Sequence, residues 1–168
     1  MLRSAAQEPG LTHKWNSCVA LFSRCTEALG ALKKLADEGF SSDALACIGI
    51  VSPWLKTYLS QLDPPPGFPQ SMIVQLQGSV SMVVIGFPIS SVSRAIREGT
   101  TLNTTHMLSL ALPGTAILST DQHDYISALN HGQLLVIIRG SAAEVERAAE
   151  LLATGAEIEV AVYEGACT

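Results

Sequence analysis

The sequence predicts an α+β domain made of two β-α-β units joined by a long, largely helical insertion. Three observations predict it. The stretch "LNHGQLLVIIRGSAAEVERAAELLATGAEIEVAVYEG", Leu129 to Gly165, passes from an unbroken apolar run to a helical period and then to strict alternation, the pattern of strand, helix and strand. Residues 15–51 repeat that plan. Residues 52–132 between them are too many for a bare loop in a compact domain, so the connection must carry structure of its own.

Taken in order, residues 1–14 read as a flexible tail, since they hold one Arg, a Pro and a Gly but no apolar run of the kind a signal peptide needs. "SCVALFS" is the first strand. "RCTEALGALKKLADEG" follows as a helix that turns Ala28, Leu29, Leu32, Leu35 and Ala36 inward and stops at Gly39, and "ALACIGIV" is the second strand.

The insertion is legible in pieces. In "SPWLKTYLSQL", Ser52 caps and Pro53 opens a short helix with Trp54, Leu55, Tyr58, Leu59 and Leu62 along one side, ended by the rigid Pro64–Pro66 run. No charged residue lies between Asp63 and Arg94. Within that gap "SMIVQLQGSVSMVVIGFPI" fits either a hairpin or a buried helix, and periodicity does not choose between them. "SVSRAIREG" and "NTTHMLSLAL" are two short helices, stopped by Gly99 and by Pro113–Gly114. Ser119 and Gln122 then frame a capping box for a helix through Tyr125, Ile126 and Leu129.

In the second unit, residues 133–165, "QLLVIIRG" is a buried strand and Ser141 with Glu144 forms a second capping box. The helix buries Val145, Ala148, Ala149 and Leu152 and stops at Gly155. Ile158, Val160 and Val162 are the inner face of the last strand. Two such units with right-handed crossovers interleave into a four-stranded antiparallel sheet with both helices on one face, the split ferredoxin-like arrangement. Residues 1–168 are expected to form one domain.

Composition excludes several functions. The net charge of -5, with 10 Lys and Arg scattered along 168 residues, lacks the basic cluster that phosphate backbones require, so nucleic acid is not an expected partner. The apolar run at 71–89 is broken by Gln75, Gln77, Gly78 and Pro88, which disfavours a membrane span. Cys18, Cys25, Cys47 and Cys167 show no paired spacing and read as reduced thiols of a cytoplasmic protein. Neither a phosphate-binding glycine loop nor a nucleophile elbow is present, and no cofactor is expected.

Two segments carry a family resemblance. "LPGTAILSTDQHDYISALNHGQLLVIIRGSAAEVERAAELLATGAEIEVAVY" and "VALFSRCTEALGALKKLADEGFSSDALACIG" resemble the matching units of small bacterial proteins grouped with general stress proteins. That family typically has a Tyr-bearing helix, a Gly before an apolar strand, and a helix rich in Glu, Arg and Ala. The resemblance implies an α/β domain in stress physiology and brings no catalytic motif.

Candidate sites follow from chemistry. Cys25 opens the first helix beside Arg24, where both the helix dipole and a cation favour a thiolate, against the plainer use of a small packing residue. His123 and His131, with His106 and Tyr125 within reach through the fold, are the candidate ligand-binding residues. Their spacing fits no metal site, and a cationic His131 at a helix C-terminus has a structural use as well. The leading expectation is a non-enzymatic, homodimeric module binding a protein partner or a small apolar ligand. Two others stand beside it: a small enzyme or thiol sensor using Cys25 or a His123/His131 pocket, and a membrane-surface protein docking through residues 71–89.

Overall fold

The computed structural model describes residues 16–51, 69–111, 119–153 and 159–163. Outside them lie the tail, the Ser52–Leu62 helix with its Pro64–Pro66 stop, the Pro113–Gly114 stop, Gly155, Ile158 and Cys167. The strands are β1 (Asn16–Phe22), β2 (Leu45–Ile50), β3 (Ser71–Gln75), β4 (Ser81–Gly86), β5 (Leu134–Gly140) and β6 (Glu159–Tyr163). The helices are α1 (Cys25–Asp37), α2 (Ile89–Arg97), α3 (Thr104–Ala111), α4 (Ser119–Asn130) and α5 (Ala142–Ala153).

All six strands join one sheet in the order β3-β4-β2-β5-β1-β6. Every neighbouring pair is antiparallel. The two β-α-β units interleave: β5 lies between β1 and β2, and β1 lies between β5 and β6. The expected four strands are therefore six. The uncharged segment supplies the two extra ones, a hairpin of β3 and β4 that extends the sheet beyond β2. Its conformation is decided at the turn, where Gly78 takes φ +79° in the left-handed region and the chain reverses within a few residues. The insertion is thus mixed hairpin and helix.

The sheet is also covered on both faces, where cover on one was expected. On one face α1 and α5 pack Leu29, Leu32, Leu35, Val145, Ala148 and Leu152 onto Cys18, Ala20, Cys47, Val136 and Ile138. On the other, α2, α3 and α4 bring Val92, Met107, Leu108, Tyr125 and Leu129 onto Val19, Ile48, Val84, Leu135 and Ile137. The reason is written in the strands. An unbroken run such as Leu134–Ile138, buried at every position, needs an apolar layer above and below it.

The capping box of α5 forms as expected: the Ser141 N–H donates to Glu144 Oε1 at 3.0 Å and the Glu144 N–H to Ser141 Oγ at 3.2 Å. Hydrogen bonding from the Ser141 backbone N–H and side chain holds the Glu144 carboxyl below its ordinary pKa. Helices α1 and α5 run antiparallel, tied near the C-terminal end of α1 by Lys34 Nζ donating to the Leu151 carbonyl (3.2 Å) and, one turn further on, by Arg147 on Glu38 (3.3 Å). One inward residue differs from expectation. Val162 is 48% exposed because β6 is the sheet's edge, with a strand on one side only among the described residues.

Candidate functional site

Among the described residues, helix α4 leaves part of the second face uncovered. It packs Leu129 fully into the core, yet its flank at Asp121, Asp124, Ala128 and His131 follows one side of the helix at spacings of three and four. Opposite that flank stand Leu21 of β1 and Ala161 of β6, small or apolar side chains at the thin end of the sheet. The gap is a cavity of about 580 Å³, lined also by Tyr125, Ser127 and Gln133. Its floor is apolar and its helical wall polar, with two carboxylates one turn apart.

His131 sits just past the last turn of α4. Its Nδ1–H donates to the Ser127 carbonyl at 2.6 Å, which also accepts the His131 backbone N–H at 3.1 Å, and this bond fixes the ring with Nε2 pointing elsewhere. Gly132, at φ +88°, turns the chain from that helix into β5. Tyr125 is 8% exposed, so its ring belongs to the core while its edge reaches the cavity.

The structure therefore joins Tyr125 and His131 and separates the other two candidates from them. His123 is exposed and not part of the lining. His106 lies in the first turn of α3, where its N–H donates to the Asn103 side chain at 2.8 Å, a helix-capping bond, and its ring is exposed. Cys25 is the first residue of α1, but its side chain lies outside the described residues. Arg24, before it, is in an extended conformation and makes no side-chain cap.

The other two described thiols are structural. Cys18 and Cys47 are fully buried in the face beneath α1 and α5, and burial pushes the Cys18 thiol up to about 12. A thiol that holds its proton so tightly is a poor nucleophile at neutral pH. Among the described residues, no group of three or more His, Cys, Asp and Glu is placed to hold a metal ion. Asp121 and Gln133 were the members that sequence reasoning missed, and Asp124 was set aside with His123 on metal spacing, although the shared helical flank of Asp121, Asp124, Ala128 and His131 was there to be read.

A second concavity, about 570 Å³, lies where β4 meets α2 and is lined by Ser42, Asp43, Gln70, Phe87 and Ser90 among others. Beside it Arg139 stacks on the Phe87 ring at 4.1 Å and donates from Nε to the Asp43 carbonyl at 3.1 Å. Partial burial lowers the Arg139 pKa, and Asp43 works in the opposite direction. This contact joins residues far apart in sequence and leaves no local signal.

No helix among the described residues is long and apolar enough to cross a membrane. The Met82–Ile85 stretch of the 71–89 segment is buried between the helical layers, so those side chains face protein. No family model, no curated protein and no solved structure matches this chain.

Proposed function

We propose that this protein is a non-enzymatic module that binds a small amphiphilic amine in the cavity between α4 and the β1–β6 end of the sheet. The observation that carries the reading is the cavity itself. At about 580 Å³ it falls within the size range of small-molecule sites, and it sets an apolar floor of Leu21 and Ala161 against Asp121 and Asp124. Carboxylates facing an apolar floor suit an ammonium head on a short hydrocarbon tail. The amine replaces the apolar ligand that composition suggests, because the wall is polar.

The fold supports a scaffold role. The interleaved order β2-β5-β1-β6 is the ferredoxin-like split pair, and β3 and β4 are its extension. The family resemblance of residues 19–49 and 112–163 points the module to stress physiology, and that assignment rests on the resemblance alone.

Titration calorimetry with butylamine to octylamine, against the matching alcohols and carboxylates, tests the reading. Binding by amines alone, weakened roughly tenfold in the Asp121→Asn, Asp124→Asn double variant, is the expected result. Equal binding of the carboxylates, or a double variant as good as the parent, would sink it.

A further inference from the structure

The other edge of the sheet, at β3, is built differently from β6. Gln70 and Leu76 direct their main chains toward β4: the Gly86 N–H donates to the Gln70 carbonyl (2.8 Å), and the Leu76 N–H donates to the Val80 carbonyl (2.6 Å). Strand alternation then turns the N–H and C=O groups of Ser71, Ile73 and Gln75 outward, and no strand among the described residues pairs with them. Exposed edges are usually guarded by charge, proline or a bulge. "SMIVQ" has none of these, and it lies inside the stretch from Pro64 to Ser93 that carries no charge. Beside it Ile73 is 42% exposed and Ile96 of α2 is 46% exposed, and both line a groove of about 450 Å³ that runs on to Leu102.

We propose that β3 pairs with β3 of a second copy of this chain, antiparallel about a two-fold axis through Ile73, so that two sheets become one. This rests on the edge alone and is independent of the ligand proposed above. A second copy is the occupant because the outward set is symmetric about its own centre. Rotation about Ile73 places Ile73 opposite Ile73 and Ser71 opposite Gln75, each as a hydrogen-bonded pair, for about six main-chain bonds. Charge at this strand does not oppose the same occupant. Two chains of net charge -5 repel over most of their surface, whereas β3 itself carries no charge to set against its copy. The strand pair with two isoleucines from each copy is at the low end of stable interfaces, on the order of 1,000 Å², which corresponds to a micromolar, exchanging dimer.

Sedimentation velocity from roughly 1 to 200 µM, with amide hydrogen exchange at both ends of that range, tests the pairing. The expected result is a mass that rises from one chain to two, with the Ser71, Ile73 and Gln75 amides protected only where the dimer is populated. The β4-bonded amides of Met72, Val74 and Leu76 are protected throughout and serve as the internal reference. Ile73→Lys is expected to weaken the dimer at least ~10-fold, since it sets two like charges across the axis. Mixing Ile73→Lys with Ile73→Glu restores a heterodimer, which a merely misfolded variant would not do. Val162→Lys, at the opposite edge, leaves dimerisation unchanged. A chain that stays single at the highest concentration overturns the proposal, as does an Ile73→Lys variant that dimerises like the parent. Protection of the three outward amides at every concentration also overturns it and assigns the edge to this chain's own residues 52–68.

Discussion

The two faces of the sheet reach the same degree of burial by different routes. On the first face, α1 and α5 each join the two strands of their own unit, so the helix and its strands are neighbours in sequence. On the second, α2, α3 and α4 all come from the insertion and pack on strands of both units and of the hairpin. The first face is sealed at its rim by Lys34 on the Leu151 carbonyl and Arg147 on Glu38. The second, among the described residues, leaves the α4 cavity beside β6. The first leaves its own gaps at the two edge strands, where Ile73 and Val162, on the Val83 and Cys18 side of the sheet, are 42% and 48% exposed.

Because alternate residues of the same strands feed both faces, the two cores stand back to back on one backbone. The strongest way to break them together is at Gly86, where φ is +91° and an added Cβ would be driven into the Leu45 carbonyl of β2. Strand β4 sends Val83 and Ile85 to one face and Met82 and Val84 to the other. Gly86→Ala is expected to cost on the order of 4 kcal/mol or more and to loosen both faces equally, read by urea unfolding. A loss confined to the second face would show that the hairpin is not needed by the first.

A gentler comparison truncates one face at a time. Leu32→Ala beneath α1 and Met107→Ala beneath α3 remove fully buried side chains and are each expected to cost about 3 kcal/mol. Both variants should unfold in one step, with fluorescence and circular dichroism coincident. If Met107→Ala instead splits the transition, the insertion layer melts by itself and the shared-backbone account is wrong.

The smallest expected effect separates the faces by chemistry. Cys18 lies in the first face, and its folded pKa, about 12, is above the ordinary thiol value of 9.0. The native state therefore holds the proton more tightly than the unfolded chain does, so stability is unaffected well below pH 9 and falls as pH rises from there toward 12. At ~pH 10.5 the loss attributable to this thiol is about 2 kcal/mol. Cys18→Ala should remove that part of the alkaline slope while leaving the slope from other groups in place. An unchanged slope in the variant would mean the thiol is not shielded as its burial implies.

Much of this molecule was legible because its signals are local. The 3.6-residue period of Ala28–Leu35, the Ser141–Glu144 capping box and the β-branched run at Leu134–Ile138 each depend on neighbours a few residues away. The polar flank of α4 belongs to the same class, since Asp121, Asp124 and His131 share a helix side by spacing alone. The hairpin at 71–86 was ambiguous for a physical reason. Strand β4, buried on both faces, loses the alternation that marks a strand, and only the turn at Gly78 and the pairing with β2 decide it.

What the sequence determined by itself is therefore the set of elements in the two units, their inward faces and the absence of a basic, nucleotide-binding or metal-spaced motif. Tertiary structure alone decided that the sheet has six strands, that the insertion forms its second cover, that Leu21 and Ala161 oppose Asp121 and Asp124, and that Arg139 meets Phe87. Periodicity is carried by bonds between near neighbours. Strand order and cavity walls are set by contacts between residues tens of positions apart, which compete on total burial and hydrogen bonding and leave no period to read.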